Sequence, residues 1–480
     1  MGKLLDKYKL LSKPTKASLW FITCYVIQRG LQFIGMPIYT RIMSTEEYGV
    51  YSVFLSWFNL ICVFSSFNIY SGTFNKAMIK YEKNRDSYIS SIQWFTFIIG
   101  IIFSVLIIGF SKIIREYTGF SNKLIFLMCV HLTLYPTLQY WSQKQRFLFE
   151  YKKLVFITLI NSIASLGLGV LFVQISEDKS LALIAVTVVV QALINIVLFF
   201  LMAKKGKTIY DKDFWKWSII TAIPLVPHYL SEILLGHADR LMINQMCGAA
   251  QAGIYNIVYQ ISMVMTIIRT GINGSFTPWL YYSIKEKRFE EIRKVTKALT
   301  VFMGTLTLLF MLLGPEILKL AAPPSYYEAV IGIPAIMVGC FFIFVYVLFL
   351  NVEIYYEQNN LVAVASIVAA IVNVVLNYVC INQFGYLAAA YTTMISYLLM
   401  AIMHYFFMKR IVKSHGEIQE IFDSKCILLI SVCLMVVGII FIKIYDYSAF
   451  RWLIIISIMI VTALKRNSIK AMIKRIRSNS

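Results

Sequence analysis

The amino-acid sequence predicts an all-α polytopic membrane protein with about fourteen transmembrane helices. Of its 480 residues, 59% are hydrophobic and only 14% are charged, whereas about a quarter of the residues in a soluble domain are charged. The apolar residues occur in blocks about twenty residues long, which is the length of helix that crosses a bilayer. The lysines and arginines lie mostly between the blocks. These observations exclude a soluble globular, fibrous or disordered protein.

The apolar blocks follow one another along the chain and define fourteen predicted spans. By this division, none of the loops on the side opposite the N-terminus exceeds about a dozen residues, so no large outer domain is expected. In chain order, the predicted spans are 17–39, 48–70, 88–110, 121–141, 154–175, 181–203, 218–241, 250–279, 298–321, 328–350, 361–381, 385–408, 426–444 and 449–464.

The distribution of basic residues predicts the orientation of these spans. Of the 45 lysines and arginines, 34 lie in the segments on the N-terminal side of the membrane, nine lie on the opposite side, and Arg29 and Arg269 fall within spans. Cytoplasmic loops carry an excess of lysine and arginine. The bias therefore predicts that both termini are cytoplasmic, and an even number of spans requires them to share one side.

The two halves of the chain resemble each other at an offset of about two hundred residues. Arg41-Ile42-Met43 is followed by Tyr48-Gly49-Val50-Tyr51 at the start of span two, and Arg240-Leu241-Met242 is followed by Ala252-Gly253-Ile254-Tyr255 at the start of span eight. Because the offset is six spans, both copies have the same membrane orientation and are expected to be related by an axis along the membrane normal.

This repeat predicts three segments. Residues 1–203 form an N-terminal six-helix lobe, residues 204–412 form a C-terminal six-helix lobe, and residues 413–480 hold two additional helices and a basic cytoplasmic tail. The two lobes are predicted to be pseudo-symmetric bundles around a central cavity.

Span one carries an arginine near the middle of the bilayer. Arg29 lies about twelve residues into the span, or about 18 Å deep, and Tyr25, Gln32 and Met36 share its helical face. Burying a charged side chain at this depth costs about 2.5 kcal/mol or more, so such residues are the first candidates for function. We predict that Arg29, Gln32 and Tyr25 bind the substrate. The alternative for the arginine is a structural pair with a neighbouring helix.

Span eight repeats this arrangement in the second half of the chain. Arg269 is comparably deep, and Ser262, Thr266 and Asn273 lie on its face. One arginine in each half, each on a polar stripe, predicts a cationic cavity between the lobes, and we add Arg269 and Asn273 to the predicted substrate-binding set. A structural pair with a neighbouring helix or with carbonyl groups is again the alternative for the arginine.

Span seven is the most polar span. His228, Glu232 and Asp239 are four and seven residues apart, so they lie within about 40° of one another on a helix. Pro224 and Pro227 precede them, and each removes an N–H donor and bends the helix. The pattern predicts either a stripe that binds a coupling ion, a proton or sodium, or groups of the cavity. In the second interpretation, Glu232 neutralises an arginine and Asp239 belongs to a helix cap near the surface.

No metal site, cofactor or enzymatic activity is predicted. His228 and Glu232 offer too few ligands for a metal ion, and His131, His404 and His415 show no partner spacing. The sequence contains none of the motifs G-x-x-x-x-G-K-[ST], G-x-S-x-G and H-E-x-x-H. Despite the net charge of +21, it has no nucleic-acid recognition motif. Energy is therefore expected from an ion gradient, the membrane potential or removal of the product.

Four short motifs carry a resemblance to a known family. They are Arg41-Ile42-Met43-Ser44 with Glu47-Tyr48-Gly49-Val50-Tyr51 after span one, and Ala238-Asp239-Arg240-Leu241-Met242-Ile243 with Ala252-Gly253-Ile254-Tyr255 around the junction of spans seven and eight. With them, the chain resembles the O-antigen and capsule repeat-unit flippases. These belong to the polysaccharide transporter family of the multidrug/oligosaccharidyl-lipid/polysaccharide exporter superfamily.

The resemblance implies a flippase with two six-helix bundles around a V-shaped cavity. The implied substrate is an oligosaccharide on undecaprenyl pyrophosphate, moved from the cytoplasmic to the outer leaflet of the bacterial cytoplasmic membrane for surface polysaccharide or lipopolysaccharide synthesis. In related lipid flippases, arginines of spans one and eight contact the pyrophosphate, and Arg29 and Arg269 occupy those spans here. Membrane lipids, a coupling ion and the polysaccharide polymerase are the implied partners. The alternatives are a lipid II flippase and an ion-coupled multidrug exporter of the same superfamily.

Overall fold

The computed structural model describes residues 12–415, 420–445 and 447–464. In these ranges, the regular secondary structure is helical and no strand occurs. The fourteen principal helices are α1 Lys13–Ile42, α2 Thr45–Ser66, α3 Arg85–Gly109, α4 Asn122–Phe147, α5 Tyr151–Ile175, α6 Lys179–Gly206, α7 Val226–Cys247, α8 Ala249–Lys285, α9 Phe289–Leu312, α10 Ile333–Tyr355, α11 Asn359–Phe384, α12 Ala388–Ser414, α13 Ser424–Ile444 and α14 Ser448–Leu464.

Each of the fourteen predicted spans overlaps a different one of these helices, and the all-α fold class is confirmed. Among the described residues, eleven helical segments are long and apolar enough to cross a membrane, and α1, α8 and α14 are not among them. The first two are less apolar because they carry Arg29 and Arg269 with their polar neighbours, and α14 is only 17 residues long. The number of fourteen spans therefore stays a prediction.

The predicted bend in span seven is confirmed as a break between two helices. The helix Lys212–Ala222 is followed by a 3-10 turn, Ile223–Leu225, and then by α7. Pro224 lies in the turn and Pro227 lies at the start of α7. Because proline has no N–H and a fixed φ, it fits the first turn of a helix and interrupts a helix interior.

The chain divides into two compact units, Met1–Gly253 and Ile254–Ser480. In the first unit, α3, α4 and α6 pack together, α5 packs on α1 and α6, and α2 packs on α7. In the second unit, α10 is buried along most of its length and contacts α9, α12 and α13, while α11 packs on α12. The predicted division into residues 1–203, 204–412 and 413–480 is based on an internal repeat, whereas these two units are defined by compactness. The predicted division therefore stays a prediction.

An aromatic cluster forms part of the core of the first unit. Tyr88 of α3 is fully buried, and its ring meets the edge of Phe214, from the helix before α7, at 5.5 Å. The Tyr88 hydroxyl is 2.9 Å from the hydroxyl of Ser218. Helices in lipid associate through close packing and hydrogen bonds of this kind, because the hydrophobic effect does not distinguish a helix surface from lipid.

Loops that the charge pattern assigns to the same membrane face meet in the structure. Asp86, at the start of α3, accepts a hydrogen bond from Lys144 at the end of α4. It also pairs with Lys205 at the end of α6, at 3.0 Å. At the opposite face, the amine of Lys179 donates to the backbone oxygen of Ile42 at 2.6 Å. The alternation of sides in this unit therefore agrees with the predicted order of spans.

The start of α14 is fixed to the second unit by Arg451. Its two terminal nitrogens lie 2.7 and 2.8 Å from the two carboxylate oxygens of Glu316, which belongs to the short helix Gly314–Ala321 after α9. One of these nitrogens also donates to the backbone oxygen of Leu312 at 2.9 Å. A bidentate arginine–carboxylate pair of this kind is strong and geometrically specific. The guanidinium stays charged because arginine does not lose its proton in proteins.

Candidate functional site

The predicted polar face of α1 is present in the structure. Arg29 donates to the side-chain oxygen of Gln32 at 3.0 Å, and its guanidinium carbon lies 5.3 Å from the centre of the Tyr25 ring. Spacings of three and four residues bring these side chains together on a helix. The shared face of Tyr25, Arg29 and Gln32 is therefore confirmed. Arg29 is only half-buried, and Gln32 is exposed.

The corresponding arginine of α8 has different surroundings. Arg269 is half-buried, and the structure records no hydrogen bond or ion pair of its guanidinium with any residue in the described ranges. The groups near its charge include the thiol of Cys340 in α10, and Ser262 of α8 is also near this thiol. The predicted polar face of α8 is therefore directed towards α10 in the second unit.

Asn273 and Thr277, which lie one turn apart on α8, form a polar network with Asn351 of α10. The side-chain oxygen of Asn273 accepts hydrogen bonds from the amide of Asn351 at 2.8 Å and from the hydroxyl of Thr277 at 3.2 Å. Asn351 is buried, with 4% of its surface exposed. Because two donors fix the Asn273 oxygen, the orientation of its amide group is set. Sequence analysis identified Asn273 but missed Asn351, which lies one residue beyond the predicted end of span ten at residue 350, whereas α10 continues to Tyr355.

The three candidates of span seven do not form one cluster. His228 and Glu232 are neighbours, with the nitrogen Nε2 of the histidine 3.9 Å from the carboxylate, and the side chain of Glu232 is 58% exposed. Asp239 is buried, with 1% exposed. It lies seven residues further along the helix, which corresponds to about 10 Å. The structure therefore brings His228 and Glu232 together but leaves Asp239 in a different environment.

Sequence analysis missed a buried hydrogen-bonded pair between α10 and α12. His404 and Glu353 are both fully buried, and the ring nitrogen Nδ1 lies 2.9 Å from a carboxylate oxygen. Span ten was predicted to end at residue 350, whereas α10 continues to Tyr355. Glu353 was therefore counted as a loop residue.

His131 is a second histidine for which no partner was predicted. Its ring nitrogen Nε2 lies 3.1 Å from the amide oxygen of Gln191.

No group of three or more histidine, cysteine or acidic side chains in the described part of the chain is arranged to hold a metal ion. The polar groups of α1 and α8 are instead donors: guanidinium N–H groups and amides. Such groups bind phosphate oxygens and sugar hydroxyls.

Two family models match the chain. One, described as polysaccharide biosynthesis protein, matches residues 15–283, and the other, MatE, matches residues 224–379. A relative from Haemophilus influenzae, the Lsg locus putative protein 1, is 20% identical over 377 residues, which are 75% of this chain and 90% of the relative.

Two solved structures have the same fold. The lipid II flippase MurJ, in an inward closed conformation, matches with a TM-score of 0.66 and 14% identity, covering 94% of this chain and 99% of MurJ. An inward-facing multidrug resistance MATE family transporter of the MOP superfamily matches with a TM-score of 0.64 and 11% identity, covering 82% of this chain and 96% of that protein. At these identities, the likeness shows the fold alone, and it confirms the predicted fold.

Proposed function

Because the chain belongs to the polysaccharide biosynthesis protein family, whose model matches more than half of its length, we propose that it is a flippase for a lipid-linked glycan. The proposed substrate is undecaprenyl pyrophosphate carrying an oligosaccharide repeat unit of O-antigen or capsule. It moves from the cytoplasmic to the outer leaflet of the bacterial cytoplasmic membrane by alternating access, with both protein termini in the cytoplasm. The fold that the chain shares with lipid and drug transporters supports this class of function.

The observation that carries the proposal is the position of Arg29 within α1, on one face with Tyr25 and Gln32; we take α1 to cross the membrane, as the sequence predicts. A charged group in that position is expensive, and it is retained where it serves a substrate or a pathway. Tyr25 and Gln32 hold the guanidinium on one helix face while leaving it half-exposed. Guanidinium offers paired donors to phosphate oxygens and remains protonated. We assign Arg29 to the pyrophosphate and Gln32 and Tyr25 to its orientation.

The second unit supplies the second set of donors. Arg269 is assigned to the pyrophosphate as well, and Asn273 to the sugar or phosphate oxygens. The Asn273 oxygen is occupied by Asn351 and Thr277, and within the residues described its NH₂ group has no recorded partner. An amide oriented in this way presents donors to a ligand. The polyprenyl tail stays in the lipid, where it avoids the cost that prevents the polar head group from crossing unaided.

The exposed fraction of Glu232 favours a role in the polar lining of the pathway. A carboxyl group that is 58% exposed keeps most of its contact with water, which suits a water-accessible surface better than a desolvated ion site. We propose that His228 and Glu232 line the pathway, and that Asp239, which is buried, supports the end of α7. The polysaccharide polymerase is the proposed downstream partner.

The fold also supports two other substrates. The structural match covers 99% of MurJ, a lipid II flippase, which favours lipid II as a second candidate. The MatE match over residues 224–379 favours an ion-coupled drug exporter as a third. The arginine in each of two membrane-spanning helices argues against a cationic drug, because like charges repel.

The deciding experiment uses the purified full-length protein in proteoliposomes with three fluorescent probes. These are undecaprenyl-pyrophosphate-N-acetylglucosamine, lipid II and ethidium, and the measurement is the fraction of each probe that reaches the opposite leaflet or the lumen. We expect movement of the first probe at a rate that exceeds that of lipid II and of protein-free liposomes. Movement of lipid II alone would establish the second candidate, and accumulation of ethidium alone the third.

A further inference from the structure

A histidine and a glutamate form a fully buried pair inside the second unit that the proposed function does not use. Glu353 lies in the last turn of α10, and His404 lies in the middle of α12. Their side chains are 0% exposed, and the nitrogen Nδ1 of His404 is 2.9 Å from the oxygen Oε1 of Glu353. Ionisable residues in this position within a membrane protein are functional candidates by default.

Each side chain of the pair has a second polar atom that is left without a partner. Across the ranges that the structure describes, the oxygen Oε2 of Glu353 and the nitrogen Nε2 of His404 are buried and make no hydrogen bond. A pair that only joined two helices would be expected to have these atoms satisfied, because an unsatisfied buried polar atom destabilises the fold. Both unpaired atoms can instead accept a proton.

The immediate surroundings of the pair are aromatic and not ionic. The ring of Tyr346 in α10 stacks on His404 at 5.6 Å between centroids, and Phe407 of α12 approaches the same imidazole edge-on at 6.5 Å. Apart from His404, no charged group is recorded acting on the Glu353 carboxyl within the described residues. The charge of the pair is therefore set by its own protons.

The charged groups of the helices around the pair are engaged elsewhere. α11 contains no acidic residue, lysine, arginine or histidine. On α8, Arg269 is near Cys340, which precedes Glu353 by more than three helical turns. On α9, Glu290 pairs with Lys294, Glu291 pairs with Arg288, Arg293 donates to the backbone oxygen of Glu420, and Lys297 pairs with Asp423 before α13. The remaining charged side chains of these helices are exposed: Lys285 of α8, Lys409, Arg410 and Lys413 of α12, and Lys425 and Lys443 of α13.

We propose that Glu353 and His404 form a proton-binding site that couples proton movement to the transport cycle, an inference that rests on the proposed function. With the Nδ1–H of His404 donating to Glu353, an incoming proton binds at Oε2 of the glutamate. The pair then carries no net charge. Release returns this proton to water and leaves a carboxylate beside a neutral imidazole.

The two protonation states require different conformations of the second unit. The neutral pair is compatible with the closed, buried arrangement of α10 and α12. A lone carboxylate is strongly disfavoured in an apolar interior unless water or a cation reaches it. Proton release therefore requires the pair to become hydrated, and hydration requires α10 and α12 to separate. Only the proton and water take part, so the step needs no other reactant.

Proton binding is tested directly, without any transport substrate. Infrared difference spectra of the full-length protein in nanodiscs are recorded while the pH is changed, and the carbonyl band of a protonating carboxyl group is followed. We expect Glu353→Gln to remove one such band and His404→Gln to shift its pH midpoint. Glu316→Gln is the matched control, because Glu316 pairs with Arg451, whose charge does not titrate. A spectrum unchanged by Glu353→Gln would overturn the proton site.

Coupling is tested with the undecaprenyl-pyrophosphate-N-acetylglucosamine probe in proteoliposomes whose membrane potential is clamped. If one proton moves with each substrate, a gradient of one pH unit shifts the final distribution of the probe between leaflets by about tenfold. We expect this shift for the wild type and for Glu316→Gln, and its loss in Glu353→Gln and His404→Gln. If either single variant fails to insert into the membrane, the double variant E353Q/H404Q, in which two neutral amides replace the pair, is measured in its place. We expect the same loss of the shift in this double variant.

The two measurements separate failure of the coupling from failure of the proposed function. A wild type that moves the probe to the same final distribution with and without the gradient would overturn the coupling and leave the flippase intact. If the wild type moves no probe, the flippase and the coupling are overturned. The proton site is still supported in that case if the carboxyl band of the wild type is absent from the spectrum of Glu353→Gln.

Discussion

Gly49 and Gly253 face each other so closely that neither can carry a side chain. A Cβ atom on Gly253 would lie 2.9 Å from the backbone nitrogen of Gly49 and 2.3 Å from the backbone oxygen of Thr45. A Cβ atom on Gly49 would lie 1.7 Å from the backbone oxygen of Ala249. All four residues belong to the first unit, and the two glycines occupy equivalent places in the two copies of the repeated motif. The motif therefore serves as a helix contact surface.

Alanine at Gly253 is expected to lower stability. The clashing atoms are backbone, so α2 or α8 has to shift, and overpacking of this kind costs about 1–3 kcal/mol. The measurement is the thermal unfolding midpoint of the purified protein in detergent. Gly271→Ala in the same helix is the control, because a Cβ there meets nothing within 4 Å. Equal midpoints for the two variants would contradict the close contact.

Removal of either membrane arginine is expected to abolish most of the transport. Charged hydrogen bonds contribute about 1.5–3 kcal/mol, so Arg29→Ala and Arg269→Ala should each slow probe movement by about tenfold to a hundredfold. The amount of protein in the membrane should stay unchanged. Arg41→Ala is the control on α1, since Arg41 is exposed at the helix end and donates to the backbone of Pro37. Wild-type rates in both variants would remove the assigned contacts to the pyrophosphate.

Loss of Asn351 is expected to weaken substrate binding through Asn273. Asn351→Ala removes the 2.8 Å hydrogen bond that orients the Asn273 amide, and a hydrogen bond of this kind contributes about 1 kcal/mol, or about fivefold in affinity. We therefore expect the probe concentration for half-maximal rate to rise while the maximal rate changes less. Asn382→Ala serves for comparison, because Asn382 is exposed and bonds only within α11. An unchanged half-maximal concentration would mean that Asn273 does not contact the substrate.

Neutralising Glu232 is expected to have a small effect. Its pair with His228 is long, at 3.9 Å, and largely exposed, and exposed ion pairs contribute about 0–1 kcal/mol. Glu232→Gln should therefore change the transport rate by less than about fivefold, and it should keep the response to a pH gradient. The same proteoliposome assay gives both values. Loss of the gradient response would move the coupling role from α10 and α12 to α7.

The features that could be predicted from the sequence are those that depend on local spacing. Apolar length located the fourteen helices, proline chemistry located the break before α7, and helical periodicity brought Arg29 together with Tyr25 and Gln32. Each of these features follows from residues within one continuous segment of the chain.

The features that could not be predicted depend on contacts between distant segments. Glu353 and His404 are 51 residues apart, and no spacing rule relates positions on two different helices. Asn351 was hidden for the same reason. Asp239 shares a helix face with Glu232, but neighbouring helices bury only the aspartate. One sequence contains no information on such differences in burial along a single face.

The polar character of α1 and α8 has a practical consequence for topology mapping. In the described part of the chain, a count of spans by helix length and apolarity alone gives eleven, an odd number that would assign the two chain ends to opposite sides of the bilayer. Reporter fusions interpreted with that count would be assigned, after the first omitted helix, to the compartment opposite to the one that the fourteen-span prediction gives. Two of the three helices missing from that count are the ones that carry Arg29 and Arg269, because an arginine and its polar neighbours lower the mean hydropathy of the helix that holds them.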